Sequence, residues 1–257
     1  MTAVIGFKTR DCIILASDSQ LTDMVTETKL YDSKKIYRIE FKGGQSALIA
    51  RAGVSDGSDY FQDIFQTLAE TTEVTGKRTI ADTMETALKQ ARTRIMSSAS
   101  HPGLPKKAGG EVHGALGHSV ILAYAFNGER FIYHTDSRVS AAIPVFHPYK
   151  AIGSGSQTAQ FILQGMDTAS LDEREGLGLA AYTIQMCKNA HTGCEGPIQL
   201  ARIDSAGETE IIDSKEAALM QDAVNRTHNA VCQKARATLA ETVSLRKNRG
   251  RACLREV

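Results

Sequence analysis

Met1-Thr2-Ala3-Val4-Ile5-Gly6-Phe7, then Cys12-Ile13-Ile14-Leu15-Ala16 closing on Ser17-Asp18-Ser19-Gln20, then Lys34-Lys35-Ile36-Tyr37-Arg38-Ile39: these three pieces decide the fold. The first two are apolar runs of strand length and read as buried strands, joined by the polar turn Thr9-Arg10-Asp11. A polar loop spans Thr22 to Ser33, and the chain re-enters the sheet at Lys34-Lys35-Ile36. A threonine at the chain start, an aspartate at a strand end and a lysine at a strand start are therefore placed to meet at one edge.

This stretch resembles the N-terminal-nucleophile peptidases of the proteasome β-subunit and HslV type. Their mature chains open with threonine and a short apolar strand. An apolar strand closing on a small residue and Asp follows, and later a Lys before another apolar strand. The matching residues are Thr2, Ala16-Ser17-Asp18 and Lys35-Ile36. The resemblance implies that Thr2 is the nucleophile, that Asp18 orients the lysine and that the lysine is the charged partner; counting from Asp18 favours Lys34, whereas anchoring on the apolar Ile36 favours Lys35, and the strand anchor is followed here. Physical chemistry asks for these types. A threonine hydroxyl is a weak nucleophile and needs a base, and an α-amine titrating near ~7.7–8 is available on the same residue. An ammonium nearby favours the deprotonated hydroxyl and amine, and a buried aspartate keeps the lysine charged. The scheme requires removal of Met1.

Composition narrows the alternatives. The chain has 257 residues, 42% of them apolar, enough for a sizeable core in one large or two modest domains. A formal net charge of +1 gives no whole-chain field that argues for nucleic acid or a membrane. The N-terminus lacks the basic segment and long apolar core of a signal peptide, and no apolar run approaches a transmembrane span. The cysteines, Cys12, Cys187, Cys194, Cys232 and Cys253, are an odd set with no C-x-x-C pair. That argues against a disulfide framework or zinc site and fits a reducing cytoplasm. The loop from His101 to His118 has neither the ligand spacing nor the carboxylates of a metal site. No metal or cofactor is expected.

Along the rest of the chain, Lys42-Gly43-Gly44-Gln45 marks a hairpin, with Ser46-Ala47-Leu48-Ile49-Ala50 returning. Tyr60, Phe61, Ile64, Phe65 and Leu68 share one face of a helix. A second helix opens at Thr79 with Asp82 as capping pair and buries Ile80, Met84, Leu88, Ala91 and Ile95. Val120–Phe126 and Arg130–Tyr133 flank Asn127-Gly128, the strongest short hairpin signal, and Val139–Phe146 adds a strand. Ala151-Ile152-Gly153-Ser154-Gly155-Ser156 feeds a helix. Alone, that turn suggests phosphate held on helix N–H groups, but it lacks the Gly-Lys-Ser/Thr of a P-loop and a third glycine. Ser170 with Glu173 caps the next helix, which turns Leu177, Ala180, Ala181, Ile184 and Cys187 inward. Pro197–Asp204 and Glu208–Ile212 form a last hairpin. A C-terminal helix begins near Ser214, with Met220, Val224, Val231, Leu239 and Val243 on one face, and the tail Arg246–Arg251 is basic.

This order of elements suits an α+β fold, a four-layer αββα sandwich of two antiparallel sheets, and the resemblance implies the same layout. It covers residues 2–213; residues 1–213 are expected to form the catalytic domain and residues 214–257 a helical extension with a basic tail. It implies a bacterial threonine endopeptidase acting on polypeptide in a homo-oligomeric ring, with an ATP-dependent unfoldase as a conceivable partner. Thr22 and Arg51 are implied to hold substrate, the latter through its backbone N–H, and Ser154 to lie beside the nucleophile. Residues His191 and Cys194 stand where relatives carry an Asp and a Ser. The alternatives are an inactive ring or scaffold subunit and an amidohydrolase of a small molecule, since the fold hosts several chemistries.

Overall fold

The computed structural model describes residues 2–22, 29–53, 55–99, 118–136 and 139–253. Its centre is the pair β1 (Ala3–Lys8) and β2 (Cys12–Ser17), antiparallel with Val4 opposite Ser17. β10 (Tyr149–Gly153), β11 (Gln199–Asp204) and β12 (Thr209–Ile211) extend this into a five-stranded antiparallel sheet of order β10-β1-β2-β11-β12. A second antiparallel sheet has the order β5-β6-β7-β8-β9. Its strands are β5 (Ile36–Glu40), β6 (Ser46–Gly53), β7 (His118–Phe126), β8 (Glu129–Asp136) and β9 (Val139–Pro144).

The expected sandwich follows from what the two faces of the first sheet carry. Val4, Ile13 and Leu15 point into a core shared with the second sheet. Ala3, Ile5, Phe7, Ile14 and Ala16 point the other way, into a core closed by α3 (Ser156–Gln164) and α4 (Glu173–Ala190). Burial on both faces is why β1 and β2 read as unbroken apolar runs rather than alternating ones. Gly6 lets the sheets approach: a Cβ there would fall 2.7 Å from Leu15 and 3.1 Å from Ile121. Helices α1 (Ser55–Thr71) and α2 (Thr79–Ala99) cover the outer face of the second sheet, with Phe61 and Phe65 stacked in its core. The Asn127-Gly128 hairpin forms with φ of 50° and 80°, the left-handed pair such a turn demands.

Several local expectations are corrected. The stretch from Thr22 to Ser33 is not all loop: β3 (Leu21–Thr22) pairs with β4 (Lys29–Leu30). Tyr60 is 40% exposed, and its ring lies under the Arg94 guanidinium at the helix edge rather than in the core. Thr79 is the first residue of α2, not its cap: its hydroxyl accepts from the Gly76 N–H, while the Asp82 side chain accepts from Arg78. The cap of α4 is Asp172 with Glu175, a reciprocal capping box two residues beyond the expected one, because Ser170 is used in a 3-10 turn. The last helix, α5 (Ser214–Cys253), packs Met220 and Val224 against the core but leaves Val231 61% exposed. The loop expectation for residues 101–117 and the side chains of Ile95, Leu239 and Val243 lie outside the described residues.

The capping box gives a direct test. Asp172→Ala is expected to lower unfolding stability by about 1 kcal/mol, and Ser170→Ala by less than about 0.5 kcal/mol, in urea denaturation.

Candidate active site

Thr2 lies just ahead of β1 on the face that carries Val4, so its side chain enters the gap between the sheets, where the residue is 5% exposed. The turn after β10 is built around its backbone. The Thr2 nitrogen donates to Ser154 Oγ at 3.0 Å. The Thr2 carbonyl accepts from Gly155 N at 3.2 Å and from Ser154 Oγ at 3.3 Å. Gly153 adopts φ +87°, and a Cβ there would stand 2.2 Å from the Thr2 carbonyl oxygen, so only glycine fits. The glycines of this turn thus serve the chain start. The Gly155 N–H that a phosphate would need is spent on Thr2.

Asp18 ends the second central strand and is fully buried. Its Oδ1 accepts from Ala3 N at 2.8 Å and from Lys35 Nζ at 3.0 Å, and its Oδ2 accepts from Gln20 N at 3.1 Å. Lys35 Nζ also donates to Thr2 Oγ1 at 2.8 Å. One ammonium therefore joins the hydroxyl and the carboxylate. Burial pushes Lys35 below the ordinary lysine range, with Asp18 opposing the fall. Burial likewise pushes Asp18 upward, against Lys35 and the N–H groups of Ala3 and Gln20. Both directions have one cause, loss of water around a charged pair, and the added hydrogen bonds are what make such a pair tolerable. Lys34, next in the chain, points elsewhere: its Nζ lies 5.1 Å from the Tyr37 ring centroid. Neighbouring residues at a strand start face opposite ways, so only one of the two lysines can reach Thr2.

A pocket of 230 Å³ opens beside Thr2, walled by Leu21, Lys34, Tyr37, Arg51, Gly53 and Asp59. The Arg51 guanidinium lies 4.7 Å from the Tyr37 ring centroid, donates to Tyr37 Oη at 2.6 Å and pairs with Asp59. Its backbone N–H, expected to face substrate, instead donates to the Lys35 carbonyl at 3.1 Å, because Arg51 sits inside β6 opposite the start of β5. Thr22 pairs with Lys29, and its neighbour Leu21 reaches the pocket. Cys194 is buried with Sγ 4.0 Å from Ser154 Oγ, and burial pushes its thiol up. His191 bonds through Nε2 to Thr158 Oγ1 at 2.9 Å, on α3. Tyr37, Gly53 and Asp59 were not singled out by the sequence. Gly53 had a signal, an Ala-Gly step closing a strand, and it takes φ +118°. Tyr37 and Asp59 had none, since tertiary packing alone brings β5 and α1 together there. Among the described residues no group of three or more His, Cys, Asp or Glu side chains is placed to hold a metal.

A family model described as "Proteasome subunit" matches residues 2–203. Among solved structures, Anbu (ancestral beta-subunit) from Yersinia bercovieri superposes with a TM-score of 0.70 at 12% identity, over 90% of this chain and 96% of that one. A Gly-1 mutant of Anbu from Hyphomicrobium sp. strain MC1 gives 0.69 at 14%, over 91% and 97%. A helical assembly of the Anbu complex from Pseudomonas aeruginosa gives 0.68 at 13%, over 90% and 96%. At such identities the likeness is one of fold. No curated protein matches the sequence.

The buried pair has an asymmetric dependence on its members. Asp18→Ala strands an ammonium and two backbone N–H groups and is expected to cost about 3 kcal/mol or more in urea denaturation. Lys35→Met leaves Asp18 with the N–H groups of Ala3 and Gln20 and is expected to cost clearly less.

Proposed function

The chain belongs to the proteasome subunit family, and on that premise we propose that it is an N-terminal threonine peptidase with Thr2 as nucleophile. The observation that carries the reading is the position of Lys35 Nζ, within hydrogen-bonding distance of both Thr2 Oγ1 and Asp18 Oδ1. Once Met1 is removed, the α-amine and the hydroxyl belong to one residue. The amine takes the hydroxyl proton, helped by a Lys35 ammonium that stabilises the developing alkoxide. Ser154, already bonded to the Thr2 nitrogen, orients the amine.

Attack of Thr2 Oγ1 on a peptide carbonyl forms a tetrahedral oxyanion. The Arg51 N–H points across to β5, and strand alternation sends the Gly53 N–H the same way, past the end of β5 into the pocket. Gly53 is therefore the oxyanion donor we assign. Collapse of this intermediate breaks the C–N bond, the amine proton passes to the leaving amine, and water then hydrolyses the Thr2 ester. An extended polypeptide pairs with the backbone near Thr22 and Arg51, and its side chain meets the Arg51, Lys34 and Asp59 walls. The working form is a homo-oligomer, as in the helical Anbu assembly, and its setting is the bacterial cytoplasm, with an ATP-dependent unfoldase to supply unfolded chains. No helix among the described residues is long and apolar enough to cross a membrane.

Intact-mass analysis is expected to show loss of one methionine. A peptide epoxyketone, which reacts with a hydroxyl and an amine on adjacent carbons, should add once per chain. Thr2→Ala should abolish adduct and turnover together, while Thr2→Ser keeps part of both. Lys35→Ala should lower kcat on a fluorogenic peptide by about a hundred- to thousandfold, and Lys34→Ala should lower kcat by less than about threefold, with its effect falling on KM, since Lys34 lines the pocket without touching Thr2 or Asp18. Retention of Met1 in the purified assembly would replace this reading with that of an inactive scaffold subunit.

Light scattering at micromolar concentration and physiological salt should read a mass several times that of one chain. Monomer alone would overturn the assembly.

A further inference from the structure

The candidate site is divided between two sheets. Thr2 and Asp18 belong to the first, and Lys35 stands at the head of β5, the edge strand of the second. An edge strand presents main-chain groups that no neighbouring strand pairs. Something must hold the head of β5 at the distance that lets one ammonium touch both Thr2 and Asp18.

Gln199 makes that connection. It sits on β11 in the first sheet, directly opposite Ser17 and so beside Asp18. Its Oε1 accepts from Lys35 N at 2.8 Å and from Ile36 N at 3.3 Å. Its Nε2 donates to the Ser33 carbonyl at 2.6 Å. One amide thus satisfies two donors and one acceptor on the main chain that carries Lys35, a pattern that needs an acceptor and a donor on one planar group. The same segment is tied to the first sheet a second time. Ser33 N donates to the Ser19 carbonyl at 3.0 Å, and Ser19 Oγ donates to the Tyr31 carbonyl. Gly196 permits this closeness, since a Cβ there would stand 2.3 Å from the Tyr31 carbonyl oxygen.

From this we infer that Gln199 is a positioning residue of the active site: it sets the main chain from Ser33 to Ile36 so that Lys35 reaches Thr2 and Asp18. It touches neither substrate nor the reacting atoms. The inference rests on the threonine-peptidase reading for its consequence in catalysis, but the placement of Lys35 is measurable without any turnover. A purely structural glutamine would satisfy the same main-chain groups and contribute stability alone. The two accounts separate at the Lys35 ammonium. Around it stand Asp18 just after β2, Arg51 from β6 and Cys194 from the segment after α4. Held in place, Lys35 is buried and titrates below the ordinary lysine range. Released, it gains water, and its pKa rises toward ~10.4.

The test uses the full-length assembled protein. Trace acetylation as a function of pH, read by mass spectrometry, gives the pKa and accessibility of Lys35 in the unaltered chain, in Q199L and in Q199E. Q199L removes both halves of the amide. Its Lys35 pKa should move upward, and its pH-independent acetylation rate constant, read on the plateau above that pKa, should rise at least tenfold; kcat per epoxyketone-titrated site should fall at least tenfold with KM within about threefold. Q199E carries a switchable version. Protonated, the introduced carboxyl donates to Ser33 and accepts from Lys35 N and Ile36 N, as the amide does. Ionised, it repels the Ser33 carbonyl. Its kcat relative to the unaltered enzyme should therefore rise at least tenfold from pH 8 to pH 5, a rescue that a loss of stability would not produce.

A folded Q199L with unchanged Lys35 labelling overturns the proposal. Where Q199L does not fold, Q199E decides, and a flat kcat ratio together with unchanged labelling from pH 5 to 8 overturns it. If the unaltered protein hydrolyses no peptide yet Lys35 labelling shifts in Q199L, the positioning role stands and the peptidase reading falls.

Discussion

The structure depends on one buried ion pair that crosses from sheet to sheet. Lys35 and Asp18 are almost wholly removed from water, and two charges in such a place are stable only when their hydrogen-bonding capacity is met. Asp18 meets it with the N–H groups of Ala3, at the start of β1, and of Gln20, two residues beyond Asp18. Lys35 meets it with Asp18 and the Thr2 hydroxyl. The pair is therefore satisfied only when β1, β2 and the head of β5 are in their native places together. A mismatch of the two sheets would leave a buried charge unpaired, which disfavours that arrangement strongly. Electrostatics here selects the register of the sandwich and apolar burial supplies its stability.

The N-terminus is the second constraint. Thr2, proposed as the nucleophile, lies ahead of the first strand, and backbone outside a strand frays unless something ties it down. Here the ties are numerous. Ala3 pairs with Gly153 across to β10, Val4 with Ser17 across to β2, and the Gly153-Ser154-Gly155 turn grips the Thr2 nitrogen and carbonyl. Thr2, the proposed nucleophile, is thus held at the head of a central strand rather than on a loop. The glycine at position 153 follows from the same need, since the turn approaches Thr2 more closely than any side chain permits.

How far the sequence spoke depended on how local each signal was. Buried strands were legible because β1 and β2 are apolar on both faces, and the choice of Lys35 over Lys34 followed from the strand that starts at Ile36. The Asn127-Gly128 hairpin was legible because its dihedral angles suit few other residues. The cap of α4 was misplaced by two residues because Ser170 and Asp172 are both cap formers with an acid three residues on, and only tertiary packing decides between them. The Arg51 N–H was misassigned for a similar reason: strand pairing with Lys35 cannot be read from the segment alone. Gln199 carried no signal at all, since an isolated glutamine on a strand reads as a surface residue until the second sheet is placed beside it.

These failures share a location. The groups proposed to perform chemistry lie at strand ends, where residue type and order leave a trace in the sequence. The groups that shape the pocket come from four elements: Leu21 from β3, Tyr37 from β5, Arg51 and Gly53 from β6, and Asp59 from α1. Arg51 illustrates the difference. Its guanidinium is stacked on Tyr37 and paired with Asp59, so the wall it forms is a charge already compensated from within the chain. On the proposed reading, a substrate side chain entering there competes with Asp59 for the guanidinium and leaves the Lys35–Asp18 pair intact, because Asp18 is fully buried. Change in the pocket walls can thus alter which side chain is accepted without disturbing the groups assigned to bond cleavage. On the proposed reading, the reaction class rests on residues close together in sequence, and the substrate preference is dispersed over contacts that exist only in the folded chain.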